Sequence, residues 1–250
     1  RFEVANTIKN ANLKPESTES WEIGTELGVL ENRLGLDLTY YHELTSDQII
    51  PVDISRSSGY SRTVQNAGSV RNSGVEVALT ATPVRTNDFR WESTVTWAKN
   101  NNEVVELVEG LNTLTLGNFW YGSIQARPGQ PYGSIVGTTY VRDSQGRIVV
   151  NSSGAPIRDI NQSVLGNYNP DWTGGWANSF SYKGLNLSVL VDTKQGGDIY
   201  SVTNQWGTYA GVLAETAEGR CIPAGGTPVE GMPACSPENM ILVPNSVRVT

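Results

Sequence analysis

Hydrophobic and polar positions alternate along much of this chain with a period of two, and a helical period is scarce. From Trp21, residues Trp21, Ile23, Thr25, Leu27 and Val29 fall on one face, and Glu22, Gly24, Glu26 and Gly28 on the other. After a turn at Glu31-Asn32-Arg33 the alternation resumes, with Leu34, Leu36, Leu38 and Tyr40 opposing Gly35, Asp37, Thr39 and Tyr41. A second pair sets Val75, Val77 and Leu79 against Glu76, Ala78 and Thr80. It turns at 83–88 and returns through Phe89, Trp91, Val95 and Trp97. A third runs through Trp176, Phe180 and Tyr182, turns at Lys183-Gly184, and continues through Leu185, Leu187, Val189 and Val191. The pattern predicts antiparallel strands over 21–30, 34–45, 71–82, 89–99, 174–182 and 185–195.

These strands are about ten residues long, against five or six in most soluble sheets. The turns at 31–33, 83–88 and 183–184 lie at one end, and the long connections 46–70, 99–172 and 196–244 at the other. Short turns on one side, long loops on the other and ten-residue alternating strands mark an all-β, antiparallel transmembrane β-barrel. Trp21, Tyr40, Phe89, Trp97 and Tyr182 stand at strand ends on the apolar face, where an interfacial girdle belongs. A soluble sandwich with that face turned inward is the competing fold. Residues 119–150, with a turn signal at Asp143-Ser144-Gln145-Gly146, form either a surface hairpin or two further spanning strands.

Composition narrows the function classes. Only 17% of residues are charged, and polarity comes largely from neutral side chains and 26 Gly. The formal charge of −7, with no Lys/Arg cluster, argues against nucleic acid as a partner. No apolar run of about 18 residues is present, which excludes a transmembrane helix but not a barrel. Residue 1 is Arg, no signal peptide opens the chain, and 245–250 read as the start of a strand. The expectation is a piece of a larger protein.

No catalytic constellation is evident. His42 is the one histidine, and the sequence has no Gly-x-Ser-x-Gly elbow and no phosphate-binding glycine loop. The pairs Glu22/Glu26 and Asp37/Glu43 read as charge on a polar barrel wall rather than a hydrolase pair. No metal site and no cofactor is expected. Cys221 and Cys235 have no neighbouring His or second Cys for zinc. They read as one disulfide closing a Gly/Pro-rich loop, which implies an oxidising compartment, or else as two unrelated thiols. Binding is the better prospect. Trp120, Tyr121, Tyr132, Tyr168, Trp172, Trp206 and Tyr209 are interleaved with Asn, Gln and Asp. Such rings stack on sugar faces or peptide side chains, or else pack the loops together.

Several strings resemble the SusC/RagA branch of TonB-linked outer-membrane transporters. They are Asn12-Leu13-Lys14-Pro15-Glu16 leading to Trp21-Glu22-Ile23-Gly24, Val64-Gln65-Asn66-Ala67-Gly68, Asn72-Ser73-Gly74-Val75-Glu76 and Gly129-Gln130-Pro131-Tyr132-Gly133. Then come Gly166-Asn167-Tyr168-Asn169-Pro170-Asp171-Trp172 and Gly196-Gly197-Asp198-Ile199-Tyr200-Ser201, in the family's order across 12–201. The resemblance implies a plugged barrel of about 22 strands. It also implies an outer-membrane location, TonB acting on a plug, and a SusD-like surface lipoprotein as lid. The imported substrate would be an oligosaccharide or a peptide, with no enzyme activity. Residues 1–250 would be the C-terminal portion of that barrel, without its plug, its TonB-contact segment or its final strands. The Cys…Cys loop departs from the family pattern. A non-transporting adhesin or structural barrel and a soluble all-β carbohydrate-binding module remain the alternatives.

Overall fold

The computed structural model describes residues 6–151, 156–214, 234 and 246–248. In chain order the strands are β1 (Thr7–Ile8), β2 (Ser17–Val29), β3 (Leu34–Ser46), β4 (Ile49–Asp53) and β5 (Arg62–Asn66). They continue with β6 (Gly68–Arg85), β7 (Phe89–Leu107), β8 (Leu114–Phe119), β9 (Gly122–Ala126) and β10 (Ser134–Tyr140). Next are β11 (Ile148–Val150), β12 (Arg158–Asn167), β13 (Trp172–Tyr182), β14 (Leu185–Gln195), helix α1 (Val202–Ala210) and β15 (Ser246–Arg248). The chain divides into two compact units: 1–117 with 124–135 and 166–198, and 118–123 with 136–165 and 199–250.

The first unit is built on a six-stranded sheet of order β14-β13-β7-β6-β3-β2, antiparallel throughout. Within this sheet the six strands follow one another in chain order, as in an up-and-down barrel wall, with β4–β5 and β8–β12 in the connections. The expected strands are all present, and their alternations agree in register. Leu27, Leu36, Leu79, Val95, Trp176 and Val191 form one continuous row across six strands. The next row, Glu26, Asp37, Ala78, Thr96, Gly175 and Asp192, faces the other way. The apolar face is uncovered: Leu27 is 54% exposed, Trp176 49% and Leu187 60%. A soluble sandwich would bury these side chains.

Among the polar residues on the apolar face, Ser93 and Asn178 are each capped by an indole. Ser93 and Asn178 are directly opposite one another. Trp176 Nε1 donates to Ser93 Oγ at 2.9 Å, and Trp91 Nε1 donates to Asn178 Oδ1 at 3.0 Å. The Trp91 ring stacks on Phe180 at 5.8 Å and helps bury Asn178 to 7% exposure.

The turns follow local chemistry. Lys183 and Gly184 both have positive φ (43° and 88°), the conformation of a two-residue hairpin matched to strand twist. At the β2–β3 turn, Leu30, Glu31 and Asn32 all adopt left-handed backbone. Pro83, which cannot donate to a ladder, falls where the β6–β7 register shifts between Ala81 and Val84.

The structure corrects the boundaries at the long-loop end. β6 and β7 run 18 and 19 residues, well beyond the expected 71–82 and 89–99. The extension of β7 beyond residue 99 is zipped to β6 by polar side chains, which carry no apolar alternation. Arg71 pairs with Glu103 at 3.2 Å, and Asn100 and Asn102 both donate to Asn72 Oδ1. The core cluster of this unit is Val52, Ala67, Val104, Leu114 and Ala126, buried together. The loop 46–70 is itself folded, with β4 and β5 in a small sheet of order β1-β5-β4.

Residues 119–150 add no strand to the six-stranded sheet. β8, β9 and β10 belong to a separate sheet of order β12-β10-β9-β8 and have 6, 5 and 7 residues. A membrane-spanning strand needs about 9–11. The Asp143–Gly146 turn forms as expected: Asp143 Oδ1 accepts the Gln145 and Arg147 N–H groups, and its other oxygen meets the Arg147 side chain. The N–H and then the guanidinium of Arg147 hold the Asp143 carboxyl below the usual carboxylate range.

Candidate functional site

The aromatic residues singled out in the sequence fall into two groups, one in each unit. In the first unit, Tyr132 is positioned by the end of β7. Val104 N donates to Gln130 O, Gly129 N donates to Val104 O, and Tyr132 N donates to Asn102 Oδ1 at 2.7 Å. Gly133 then bends with φ 95°, and a Cβ there would run into the Tyr168 ring. Asn169 Nδ2 donates to Tyr132 O at 2.9 Å. Two strings, Gly129–Gly133 and Gly166–Trp172, thus form one joint.

A third string closes it. Asn167 N donates to Asp198 Oδ2 at 2.9 Å, and Asp198 N donates back to Asn167 O at 2.6 Å. A Cβ on Gly197 would lie 3.0 Å from Tyr168 O, so glycine permits the backbones to approach. Asn102, Asn169 and Asp198 are not among the site residues read from the sequence. For Asn169 and Asp198 the signal is the strings themselves, whose polar residues bind backbone rather than point at solvent; Asn102 stands in none of them.

Burial raises both phenols, Tyr132 and Tyr168, and proximity to Tyr168 raises Tyr132 further. Each therefore keeps its hydroxyl proton at neutral pH. A hollow of about 420 Å³ adjoins them, with Ile50, Leu116 and Ile124 among its lining and the Asp53–Arg62 ion pair beside them. Trp172 does not line it. Trp172 is the first residue of β13, opposite Gln195, and two positions along the strand from Gly174 on the apolar face.

In the second unit, α1 carries Trp206 and Tyr209 three positions apart, and so on one side. Ser201 caps the helix by accepting the Asn204 N–H, and Gly211 ends it at φ 68°. Trp120 meets Trp206 edge-on at 4.9 Å, and Trp206 meets Tyr209 at 5.5 Å. Phe119 and Tyr200 lie at 4.2 Å, and the Tyr200 hydroxyl bonds Trp120 O and Gln205. Tyr121, in left-handed backbone, lies under the Arg158 guanidinium at 5.8 Å. These rings pack on one another, yet Tyr209 stays 83% exposed and Trp120 57%. The sequence reading missed Phe119, Tyr200 and Arg158, which complete the group.

On the polar face of the six-stranded sheet, Asp37, Glu76 and Asp192 line a hollow of about 510 Å³. Among the described residues no group of His, Cys, Asp or Glu could hold a metal ion. His42 stacks against Trp21 at 5.7 Å, with Tyr40 beside it. Cys221 and Cys235 lie outside the described residues.

A family model described as "TonB dependent receptor-like, beta-barrel" matches residues 2–213. TonB-dependent receptor P26 of Formosa agariphila is 28% identical over 213 residues, covering 77% of this chain and 22% of the relative. TonB-dependent receptor SusC of Bacteroides thetaiotaomicron is 35% identical over 104 residues, which are 40% of this chain and 10% of SusC. Among solved structures, the RagAB peptide importer in its closed-closed state superposes with a TM-score of 0.58 at 25% identity. That match covers 72% of this chain and 21% of the other. The RagAB peptide transporter gives 0.56 at 24% identity, covering 71% and 21%. The chain spans about a fifth of the length of TonB-dependent receptor P26, which it covers to 22%. These relatives are receptors and transporters rather than enzymes, and the SusC/RagA resemblance read from the motifs is borne out. With a family model matched over 2–213 and an uncovered, in-register apolar face, the chain belongs to the TonB-dependent receptor-like β-barrel family, in its SusC/RagA branch.

Proposed function

We propose that the protein to which this chain belongs imports oligosaccharides or peptides across a bacterial outer membrane. Residues 1–250 would form a C-terminal portion of its barrel. The observation that carries this reading is the six-strand row of uncovered apolar side chains, backed by a row of acidic, hydroxyl and small (Ala, Gly) residues. The first row suits lipid and the second a watery passage. Lipid would contact Leu34, Leu36, Leu38, Val75, Val77, Leu79, Leu185, Leu187 and Val189.

The long-loop end would face the cell exterior and meet a SusD-like lipoprotein. Exposed Trp120 and Tyr209 suit that surface, since aromatic residues are enriched at interface cores. TonB would act on a plug encoded elsewhere in the protein. No covalent chemistry is asked of these residues. The test is uptake by cells carrying the native protein, with and without an active TonB system, together with purification under mild detergent. Uptake that stops without TonB, and a lipoprotein that copurifies, support the reading. TonB-independent uptake and recovery of the protein alone would favour a non-transporting barrel.

We also propose that Cys221 and Cys235 form a disulfide in the last long loop. On the chain-entropy model a bridge closing about 15 residues contributes roughly 3 kcal/mol. Thiol labelling of the unreduced protein should leave both unmodified.

A further inference from the structure

The hollow beside Tyr132 and Tyr168 has a floor and a rim of different chemistry. Its floor is aliphatic, from Ile50, Leu116 and Ile124. Ile50 and Leu116 lie directly against the buried group of Val52, Leu114 and Ala126, as does Tyr132. The floor is therefore held open by packing, before anything binds. At the rim, Arg62 Nε donates to Asp53 Oδ1 at 3.0 Å, with the two side chains 57% and 65% exposed. That bond uses one of about five guanidinium N–H donors and one carboxylate oxygen. The remaining donors and the second oxygen of Asp53 can serve another molecule.

We infer that this hollow is a side-chain subsite for a peptide, seating one aliphatic or aromatic residue while Asp53 and Arg62 bind the neighbouring amide N–H and C=O. The inference rests on the import reading and assigns it a substrate class. A sugar carries hydroxyls around its whole ring, and several would be buried against Ile50, Leu116 and Ile124 without partners. A Leu or Phe side chain loses no hydrogen bond there. The adjoining strand β4 lies at the edge of its sheet, where an extended peptide can run alongside. Pro51 in that strand has no N–H to offer, so a full ladder is broken and the ion pair supplies the main-chain contacts. The phenols of Tyr132 and Tyr168 flank the site as neutral hydroxyls, adding no charge that would exclude an apolar side chain.

The experiment uses the full-length protein in detergent, with any lipoprotein that copurifies. The probes are fluorescein-labelled Gly-Gly-Phe-Gly-Gly and Gly-Gly-Ser-Gly-Gly, with maltohexaose as competitor. The Phe peptide should bind at least about tenfold more tightly than the Ser peptide, the scale set by small size changes in an apolar pocket. Ile124→Trp, which fills the hollow, should abolish that preference. The double variant Asp53→Ala with Arg62→Ala, at exposed positions, should weaken both peptides alike and leave the preference intact. If Ile124→Trp fails to assemble, the ion-pair variant decides alone. Equal or absent binding of the two peptides, affinities that neither variant changes, or displacement by maltohexaose would overturn the subsite. TonB-dependent uptake of other solutes in the same cells would then show that the import reading stands without it. Loss of TonB dependence in the unmodified protein would show that import itself has failed.

Discussion

The six-stranded sheet and the joint at its long-loop end are ordered by different means. In the sheet, register alone does most of the sorting. One row, Leu27 to Val191, is apolar across six strands, and the next, Glu26 to Asp192, is acidic, hydroxyl-bearing or small. Any one residue there is replaceable by another of its class. In the joint each contact is particular: Asn102 holds Tyr132, Asp198 holds Asn167, and Gly133 makes room for the Tyr168 ring. A pattern tolerates many substitutions and fails on a change of class. A joint of named hydrogen bonds fails one residue at a time.

Substitutions can break this contrast. The largest effect should come from Leu36→Arg or Leu187→Arg, each expected to cost about 2–4 kcal/mol near the bilayer midplane. Thr96→Arg, on the opposite face, should cost far less. Equilibrium folding into liposomes measures all three. Gly133→Ala comes next. It places a Cβ against the Tyr168 ring at φ 95°, a strain of about 1–3 kcal/mol. Proteolysis of the loops should accelerate while the barrel's heat-modifiable gel shift is unchanged.

A subtler test bears on the capped polar residues. Trp91→Phe removes the donor to Asn178 and leaves a buried amide oxygen unpaired, costing about 1–3 kcal/mol. Adding Asn178→Leu should recover much of that loss, because neither partner then has an unmet hydrogen bond. A double variant as unstable as Trp91→Phe alone would show that the bond is not what keeps Asn178 on this face. The smallest effect is expected from Arg62→Ala. Its pair with Asp53 is well exposed and contributes about 0–1 kcal/mol to stability, so any strong effect on peptide binding is separable from folding.

Much of the sheet was legible because alternation records which face a side chain takes. Leu34, Leu36 and Leu38 could hardly be read otherwise. The upper part of β7 is not legible, because Asn100, Asn102 and Glu103 hold it to Asn72 and Arg71 without any apolar period. Tyr132 and Tyr168 are visible as aromatic residues in glycine-bearing strings, but their meeting depends on the Gly133–Tyr168 contact, 35 positions apart, that no local pattern encodes. Trp172 shows the opposite limit. It looked like a loop aromatic because Pro170 and Asp171 precede it, whereas β13 has already begun. Trp120, Trp206 and Tyr209 stand among the seven loop aromatics that the sequence singles out, but nothing local separates them from the other four or marks Phe119 and Arg158 as their partners.

One face of the six-stranded sheet is expected to meet lipid and the other water. Spin labels placed singly at residues 34 through 40 of the full-length protein in liposomes test it directly, through collision with oxygen and with a water-soluble nickel complex. Strict alternation is expected, with Leu34, Leu36, Leu38 and Tyr40 accessible to oxygen and Gly35, Asp37 and Thr39 to nickel. Uniform accessibility, or an alternation of opposite phase, would contradict it.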